Sequence, residues 1–237
     1  MRTDKQIIID YAPRAFKDST LPPEKILKWF DMLDAGWMHS GDPKDPHAEL
    51  SAGNCSNGFF DCMRVLCYPN LCEILACQLV KKLRAEGAIN EVDWVVGSPY
   101  AAITFSYEVA KVLRAVHGFT EKDPIDPKRK GMLWRRMTIP KGANVLQVEE
   151  LVTTSRTFKE VRRAIEAGNS EPVNFIPTVG ALVHRPSKLP ADYGDRKVVA
   201  LIEKEVWSVE PSECPLCEGG SERVKPKTNW AKLTGKA

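Results

Sequence analysis

The sequence predicts an α/β domain built around a mostly parallel β-sheet. Apolar runs typical of strands alternate with apolar faces at helical spacing along residues 92–202, and this alternation indicates parallel βαβ units. The chain has 237 residues, of which 43% are hydrophobic. It is therefore long and apolar enough to bury one core of this class, with room for a small additional segment.

Composition excludes several other classes of protein. The net charge is +3 and 27% of the residues are charged, so the chain resembles neither a disordered protein nor a strongly basic nucleic-acid-binding one. No apolar stretch approaches the ~20 residues of a membrane span, and the first residues lack a secretory signal. The seven cysteines, an odd number, favour reduced thiols. We therefore expect a cytoplasmic protein without nucleic-acid or membrane partners.

Two helices are predicted in the N-terminal third of the chain. The first covers residues 24–35 and stops before Gly36. Residues 38–60 are rich in Gly, Asp, Pro, Ser and Asn, which indicates loops or short strands. Pro69 begins the second helix, and Gly87 ends it. The apolar positions are Ile26, Leu27, Phe30 and Leu33 in the first helix and Leu71, Ile74, Leu75, Leu79 and Leu83 in the second.

Strands and helices then alternate. Strands are predicted at residues 92–96, 145–148, 173–183 and 198–202. The polar, proline-interrupted residues 120–131 predict a long loop. Two helices complete the pattern: one has its apolar face on Phe105, Val109, Val112, Leu113 and Val116 and is closed by Gly118, and the other uses Phe158, Val161 and Ile165 and ends at Gly168.

The most informative segment is residues 145–157, where an apolar strand precedes two acids, a hydroxyl-rich turn and a helix. Ligands bind at the carboxyl ends of parallel strands, and the amino end of a helix favours a phosphate. Glu149 and Glu150 would repel that phosphate, so we expect them to bind sugar hydroxyls. A ribose 5-phosphate satisfies both halves of the segment. The alternative is structural: Thr153 or Thr154 caps the helix and the acids lie at a solvated strand end.

This segment resembles the phosphoribosyl-diphosphate (PRPP) signature of type I phosphoribosyltransferases, and the chain is more closely similar to their orotate phosphoribosyltransferase family. The resemblance extends over residues 47–226. Five ordered matches are more specific than any single motif; the other four are residues 47–61, 95–110, 181–185 and 210–217. The resemblance implies the type I fold, a mostly parallel sheet flanked by helices with a small hood. The implied division is residues 1–87 for N-terminal helices and hood, 88–205 for the core, and 206–237 for a C-terminal segment and basic tail.

The resemblance also implies a role for each matching residue. Glu149 and Glu150 would hold the ribose hydroxyls, directly or through a Mg²⁺ ion bound mainly by substrate, and Glu150 is also a candidate catalytic residue. Phe59 and Phe60 would border the base pocket. Arg185 would face the orotate carboxylate, with a surface ion pair as the alternative. The remaining implied contacts are Thr153, Thr154, Ser155, Arg156 and Thr157 around the 5-phosphate, and Gly97, Ser98, Tyr100 and Ala101 against the diphosphate.

Residues 120–131 gain a role from the same resemblance, because family members carry a mobile basic loop that closes over PRPP. The candidate catalytic cations in this stretch are Lys122, Lys128, Arg129 and Lys130. Cations aimed at the diphosphate stabilise the charge that accumulates on the leaving group, and closure excludes water. A solvated charged loop is the alternative. The resemblance further implies a homodimer whose loop reaches the neighbouring active site.

The sequence departs from the family pattern at several positions. Glu150 stands where Asp is usual, and Ser155 and Arg156 replace two glycines of the phosphate turn. Arg156 would either contact the phosphate as a cation or fill the space meant for it. Ala101 begins an Ala-Ala pair where many members have Gly-Gly, and His184 stands where Asp is common.

The C-terminal segment leaves two further questions open. Cys214 and Cys217 have the spacing of half a zinc site, but the sequence contains no second such pair, so an ordinary turn is favoured. The residues from Arg223 onwards carry several lysines, and we expect a solvated tail rather than a docking arm.

The predicted function is orotate phosphoribosyltransferase activity in pyrimidine synthesis, with PRPP and orotate as substrates and Mg²⁺ as cofactor. One alternative is a phosphoribosyltransferase for another base. The other is a non-catalytic nucleotide-sensing protein on the same fold. The altered phosphate turn favours the sensor, whereas the retained acids and the basic loop favour the enzyme.

Overall fold

The computed structural model describes residues 3–125 and 131–236. Within them the helices are α1 (Asp4–Ile9), α2 (Pro23–Met32), α3 (Met63–Leu66), α4 (Pro69–Ala85), α5 (Ala101–Leu113), α6 (Arg156–Gly168), α7 (Pro215–Glu218) and α8 (Trp230–Thr234). The strands are β1 (Gly36–Met38), β2 (His47–Glu49), β3 (Cys55–Ser56), β4 (Gly58–Phe60), β5 (Trp94–Gly97), β6 (Val116–Phe119), β7 (Glu121–Lys122), β8 (Met132–Leu133), β9 (Asn144–Val152), β10 (Asn174–His184), β11 (Lys197–Glu203), β12 (Ser208–Val209) and β13 (Arg223–Val224). Both predicted N-terminal helices are confirmed as α2 and α4.

The central sheet has five strands in the order β11-β10-β9-β5-β6, and every neighbouring pair is parallel. This confirms the predicted mostly parallel sheet. β9 lies in the middle of the sheet and is buried over most of its length, as expected of a parallel strand covered on both faces. Its carboxyl end therefore opens at the centre of the sheet edge where ligands bind in such folds.

Helices cover both faces of this sheet. Alternate residues of β9 contact opposite layers: Leu146 and Val148 pack in one cluster with Phe105 of α5, whereas Val145 packs in another with Val161 of α6. Helix α4 lies on the α5 side. None of the helices in the described part of the chain is long and apolar enough to span a bilayer.

The helix predicted to reach Val116 ends earlier. α5 stops at Leu113, and Arg114 adopts a left-handed conformation with φ of 58°. Val116 therefore starts β6, which pairs with β5, and Gly118 lies inside that strand. A Cβ atom at Gly118 would approach the Trp134 ring to 2.6 Å. Glycine is needed there for close packing, not to end a helix.

The predicted loop at residues 120–131 begins as a strand. Glu121 and Lys122 form β7, which pairs antiparallel with β8. The Asp123 N–H donates to the Gly131 carbonyl at 2.9 Å, so the two ends of the segment meet at the base of a hairpin. A ladder of two residues is too short to show as a periodic pattern in the sequence.

A second sheet, in the order β12-β3-β2-β13, forms the hood together with the β1–β4 ribbon. β13 runs parallel to β2, and β12 runs antiparallel to β3. Strands from both ends of the chain therefore build the hood.

The C-terminal tail packs against the rest of the protein, which contradicts the expected solvated tail. The Trp230 Nε1 donates to Asp34 Oδ1 at 3.0 Å, and the Arg64 guanidinium lies 5.1 Å from the Trp230 ring. Leu233 is buried, and Lys232 pairs with Glu222. The basic charges occupy the outer face of a docked segment, and the apolar anchors between them hold it in place.

Candidate active site

β9 delivers two acidic side chains to the carboxyl edge of the central sheet. Glu149 is 1% exposed, and Glu150 is partly buried. Within the described residues, Glu149 Oε1 and Glu150 Oε2 have no hydrogen-bond partner. Leaving a buried carboxylate oxygen without a donor is costly. The pair is therefore open to donors or positive charge from beyond the described residues.

A hydrogen bond from Ser98 holds the carboxylate of Glu149, the more deeply buried of the two acids, in place. Gly97 of β5 pairs with Val148 of β9, which places Ser98 beside Glu149, and its hydroxyl donates to Glu149 Oε2 at 2.5 Å. Burial raises the pKa of Glu149 well above its ordinary value, the Glu150 charge raises it further, and the Ser98 hydrogen bond opposes both effects. Burial also raises the pKa of Glu150. A ligand bringing hydroxyl donors or a cation is expected to favour the ionised form of both groups.

The hydroxyl-rich turn leads from β9 into α6. Thr153 to Ser155 form bends, and Ser155 is the N-cap residue but makes no side-chain cap hydrogen bond. The Thr154 hydroxyl lies 3.5 Å from the Arg156 N–H, a long contact. The structural alternative, in which Thr153 or Thr154 is the N-cap residue, is therefore wrong. Arg156 is exposed and Thr157 is partly buried. The amino end of α6 suits an anion.

A hydrogen-bond network centred on the buried His184 lies beside this turn. His184, at the end of β10, contacts Glu203 Oε1 through Nδ1 and the Tyr193 hydroxyl through Nε2, each at 2.9 Å. The Tyr193 hydroxyl lies 3.4 Å from the Thr153 carbonyl, and its ring packs edge-on against Phe158. The histidine that replaces a common Asp thus ties the turn to the sheet edge.

These elements enclose a cavity of about 460 Å³. The predicted site residues that line it are Lys122, Ser98, Glu149, Glu150, Arg156 and Thr157. The predicted residues outside the lining are Phe59, Phe60, Gly97, Tyr100, Ala101, Thr153, Thr154, Ser155 and Arg185. Acids, hydroxyls and cations therefore meet in one space of the size that small-molecule sites occupy.

One of the four candidate cations lies at this cavity in the described part of the chain. The Lys122 ammonium lies 4.5 Å from the centroid of the Tyr100 ring, a cation–π contact that joins β7 to the segment after β5. Lys128, Arg129 and Lys130 lie outside the described residues.

Residues 97–102, the predicted diphosphate loop, pack closely on the start of α5. A Cβ atom at Gly97 would lie 2.9 Å from the Ala102 carbonyl oxygen, so glycine is required where the strand meets the helix. The Pro99–Tyr100 peptide bond is cis, and Ala101 begins α5. The loop is held at the wall of the cavity through Ser98 and Pro99.

Arg185 directly follows β10. Its backbone N–H donates to the Val152 carbonyl at 2.8 Å, which sets it beside the end of β9. Within the described residues its Nε has no partner. Burial lowers the pKa of the Arg185 guanidinium, while nearby Cys62 opposes that shift. The Cys62 thiol in turn donates to the Glu150 carbonyl at 3.2 Å, so Arg185 and the acidic pair share one neighbour.

The two aromatic residues predicted for the base pocket have different surroundings. Phe60 is buried and packs edge-on against Phe30, with ring centroids 5.9 Å apart. Phe59 is partly buried and lies 6.2 Å from Trp230 of the docked tail. Phe60 belongs to the hydrophobic core, and Phe59 belongs to the contact between hood and tail.

Sequence reasoning missed residues that join the hairpin base to α6. Glu160 lines the cavity and accepts from the Met132 N–H at 2.9 Å. Its hydrogen bond with Arg163 lowers the pKa of Glu160. The available signal was helical spacing, because Glu160 follows Arg156 by one turn and so shares its face.

The acidic pair also fits a magnesium ion. Mg²⁺ takes oxygen ligands and is commonly bound by one or two carboxylates together with substrate phosphates. The unpaired oxygens of Glu149 and Glu150 are donors of this kind.

No protein-family model matches the chain, but curated proteins do. An orotate phosphoribosyltransferase of Caldicellulosiruptor bescii is 32% identical over 181 residues, covering 76% of this chain and 87% of that protein. Another, from Desulforamulus reducens, is 34% identical over 203 residues, covering 86% of this chain and 95% of that protein.

Two solved structures share the fold at 17% sequence identity. The UMP synthase of Leishmania donovani has a TM-score of 0.55 and covers 79% of this chain and 37% of its own. The orotate phosphoribosyltransferase from Aeropyrum pernix has a TM-score of 0.51 and covers 74% of this chain and 92% of its own.

Proposed function

The chain belongs to the orotate phosphoribosyltransferase family, and we propose that the cavity beside Glu149 and Glu150 is its active site. The expected type I phosphoribosyltransferase fold is confirmed, as is the expected enzyme class. The reaction transfers the 5-phosphoribosyl group of PRPP to orotate and gives orotidine 5′-monophosphate and diphosphate.

The observation that carries the site assignment is the buried acidic pair with unpaired oxygens at the carboxyl end of β9. A ribose supplies vicinal hydroxyls that donate to those oxygens. The 5-phosphate then lies toward Thr157, which lines the same cavity at the amino end of α6.

The chemistry follows from where the charges lie. Orotate N1 gives up its proton and attacks ribose C1 while the bond from C1 to the diphosphate oxygen breaks. The diphosphate leaves with the bonding electrons, and the N1 proton passes to it or to solvent. Glu149 and Glu150 hold the ribose as it becomes oxocarbenium-like, and their negative charge stabilises it. Lys122, which lines the same cavity, stabilises charge on the leaving group. Arg185 orients orotate through its carboxylate.

Mg²⁺ is the proposed cofactor. When bound, it neutralises charge on the diphosphate and orients the substrate. The residues that would hold it are Glu149 and Glu150, with substrate oxygens completing its ligands.

Turnover in a defined mixture tests the proposal. Purified protein with Mg²⁺, PRPP and orotate is expected to lower the orotate absorbance, and a parallel panel of other bases is expected to react more slowly. Faster reaction with another base would reassign the substrate. An unchanged absorbance together with calorimetric binding of nucleotide would indicate a sensor instead.

A homodimer is proposed on an apolar surface beside the hairpin. Met63, Tyr107 and Val116 are 42%, 52% and 53% exposed, and the first two line a groove of about 510 Å³ with Ile103 and Phe119. Exposed apolar patches of this kind mark interfaces. Light scattering is expected to give twice the chain mass, and Tyr107→Glu is expected to give a monomer. A monomeric wild-type protein, or a variant of unchanged mass, would contradict this interface.

The division into residues 1–87, 88–205 and 206–237 remains a proposal, as does a cytoplasmic location. The seven cysteines are all free thiols, which is compatible with a reducing compartment.

A further inference from the structure

Four side chains that commonly ligate metals converge in the hood. They are His47 of β2, Cys55 of β3, and Cys214 and Cys217 at the start of α7. Their ligand atoms all lie within 4.8 Å of one another. His47, Cys55 and Cys214 are buried, and Cys217 is partly buried. None of the four lines the active-site cavity, so the proposed reaction does not account for the cluster.

Three of the six separations within the cluster match the edges of a tetrahedral zinc site. With Zn–S bonds of about 2.3 Å and Zn–N bonds of about 2.0 Å, tetrahedral geometry places two sulfurs about 3.8 Å apart and a sulfur and a nitrogen about 3.5 Å apart. The Cys55 and Cys217 sulfurs lie 3.6 Å apart. The His47 Nε2 lies 3.6 Å from the Cys214 sulfur and 3.4 Å from the Cys217 sulfur.

The neighbours of His47 set the tautomer that a metal requires. The Ser221 hydroxyl donates its single proton to the Asp45 carbonyl at 2.6 Å. Toward His47 it must therefore accept, so the contact of 2.8 Å with Nδ1 places the imidazole proton on Nδ1. Nε2 then presents its lone pair to the cysteine sulfurs. A second partner that orients the ligating histidine is a general feature of metal sites.

The two C-terminal cysteines lie in a turn that suits thiolate ligands. The Glu218 N–H donates to the Cys214 carbonyl at 3.1 Å, which closes the turn that carries both cysteines. The short helix α7 places Cys217 one turn after Cys214, so both sulfurs face β2 and β3.

A disulfide and apolar packing each explain the arrangement of these four side chains less well than a bound metal does. A disulfide requires two sulfurs about 2.05 Å apart, whereas Cys55 and Cys217 lie 3.6 Å apart. Thiols are weak donors, and apolar packing alone does not require an imidazole lone pair aimed at two sulfurs.

We propose that His47, Cys55, Cys214 and Cys217 bind one zinc ion in a closed structural site. Three sulfurs and one nitrogen are a typical donor set for structural zinc, and four protein ligands leave no position open for catalysis. The ion joins strands of the hood to a segment 162 residues later. A metal ion that links residues so far apart in the sequence strongly restricts the conformations of the unfolded chain. Zinc therefore holds the C-terminal segment on the hood.

The test measures metal in the full-length protein. Protein purified under reducing conditions from zinc-supplemented cells is expected to contain about one zinc per chain. After removal of the metal, Co²⁺ is expected to give the visible bands of tetrahedral cobalt and a sulfur-to-cobalt charge-transfer band. Removing zinc is expected to lower Tm by at least about 5 °C, and Zn²⁺ but not Mg²⁺ is expected to restore it.

Matched cysteine variants locate the site. Cys217→Ser is expected to lose most of the bound zinc, while Cys67→Ser, at an exposed cysteine outside the cluster, is expected to retain it. The cobalt spectrum of the wild-type protein keeps the test valid if Cys217→Ser does not fold. Substoichiometric zinc with no tetrahedral cobalt spectrum would overturn the proposal, and so would a Cys214–Cys217 disulfide in freshly purified protein. Because these readouts do not use orotate turnover, failure of the zinc site and failure of the proposed activity are distinguishable.

Discussion

Replacing Glu149 with Gln is expected to lower kcat/KM for PRPP by about 10- to 100-fold, the equivalent of losing one charged hydrogen bond. The amide keeps an oxygen for the Ser98 hydroxyl, so the local geometry is retained. It removes the negative charge that holds the ribose hydroxyls and stabilises the oxocarbenium-like ribose. Steady-state kinetics with PRPP as the varied substrate measures the effect. Glu91→Gln, at an exposed position outside the cavity, is the charge-matched control.

The same substitution is expected to stabilise the ligand-free protein. The pKa of Glu149 is raised in the folded state above its ordinary value of 4.5, so the folded protein binds this proton more tightly than the unfolded chain does. Stability is therefore lost as pH rises from 4.5 through the raised folded pKa. The amide side chain of the Glu149→Gln variant has no proton to lose and avoids this loss.

Two pH series check this reasoning. Chemical denaturation at pH 5 and at pH 8 is expected to show a smaller decrease in unfolding free energy for Glu149→Gln than for wild type. Calorimetry is expected to show that Mg²⁺–PRPP affinity rises with pH in the wild-type protein and rises less in the variant. Parallel pH dependences in the two proteins, or unchanged kcat/KM, would contradict the assignment of Glu149.

Replacing Arg185 with Ala is expected to raise the KM for orotate by about 10- to 100-fold, because a charge-assisted contact with a carboxylate is lost. The KM for PRPP is expected to change little. The unpaired, buried Nε of Arg185 lies beside Cys62 and the end of β9, where a base would meet the ribose. Initial rates with each substrate varied in turn separate the two effects.

A lysine at position 185 and a distant variant complete this experiment. Arg185→Lys keeps the charge but loses the bidentate hydrogen bonding of the guanidinium. Its KM for orotate is therefore expected to lie between those of wild type and Arg185→Ala. Arg84→Ala, at an exposed position on α4, is the matched control. Equal increases in both KM values would show that Arg185 supports the site structurally and does not recognise orotate.

The sequence predicted the core elements where the signal is local. Apolar spacing placed α4 and α6 close to their observed bounds, and the strand-like runs correspond to β5, β9, β10 and β11. It failed where long-range packing decides the conformation. Gly118 looked like a helix stop because its partner, the Trp134 ring, is distant in sequence. The tail looked solvated because Trp230 finds Asp34 and Arg64 only in the folded chain.

For the candidate site too, sequence reasoning found the residues that are neighbours in the chain and missed residues that the fold brings together. The acidic pair and the hydroxyl turn are consecutive in residues 145–157, so the sequence alone identified them. Asp123 was missed because the hairpin base brings it to the cavity. Glu160 was missed although it follows Arg156 by one helical turn on α6. Phe60 was expected at the base pocket, and the structure places it against Phe30 in the core.

By itself, the sequence determined the parallel α/β core and the strand–turn–helix segment at residues 145–157, because periodic burial and such a motif are properties of neighbouring residues. Only the tertiary structure decided which distant side chains meet. Cys214 and Cys217 are half of a ligand set in the sequence, and His47 and Cys55 complete it because parallel pairing of β13 with β2 returns the C-terminus to the hood. Such contacts depend on the path of the whole chain, which local patterns do not encode.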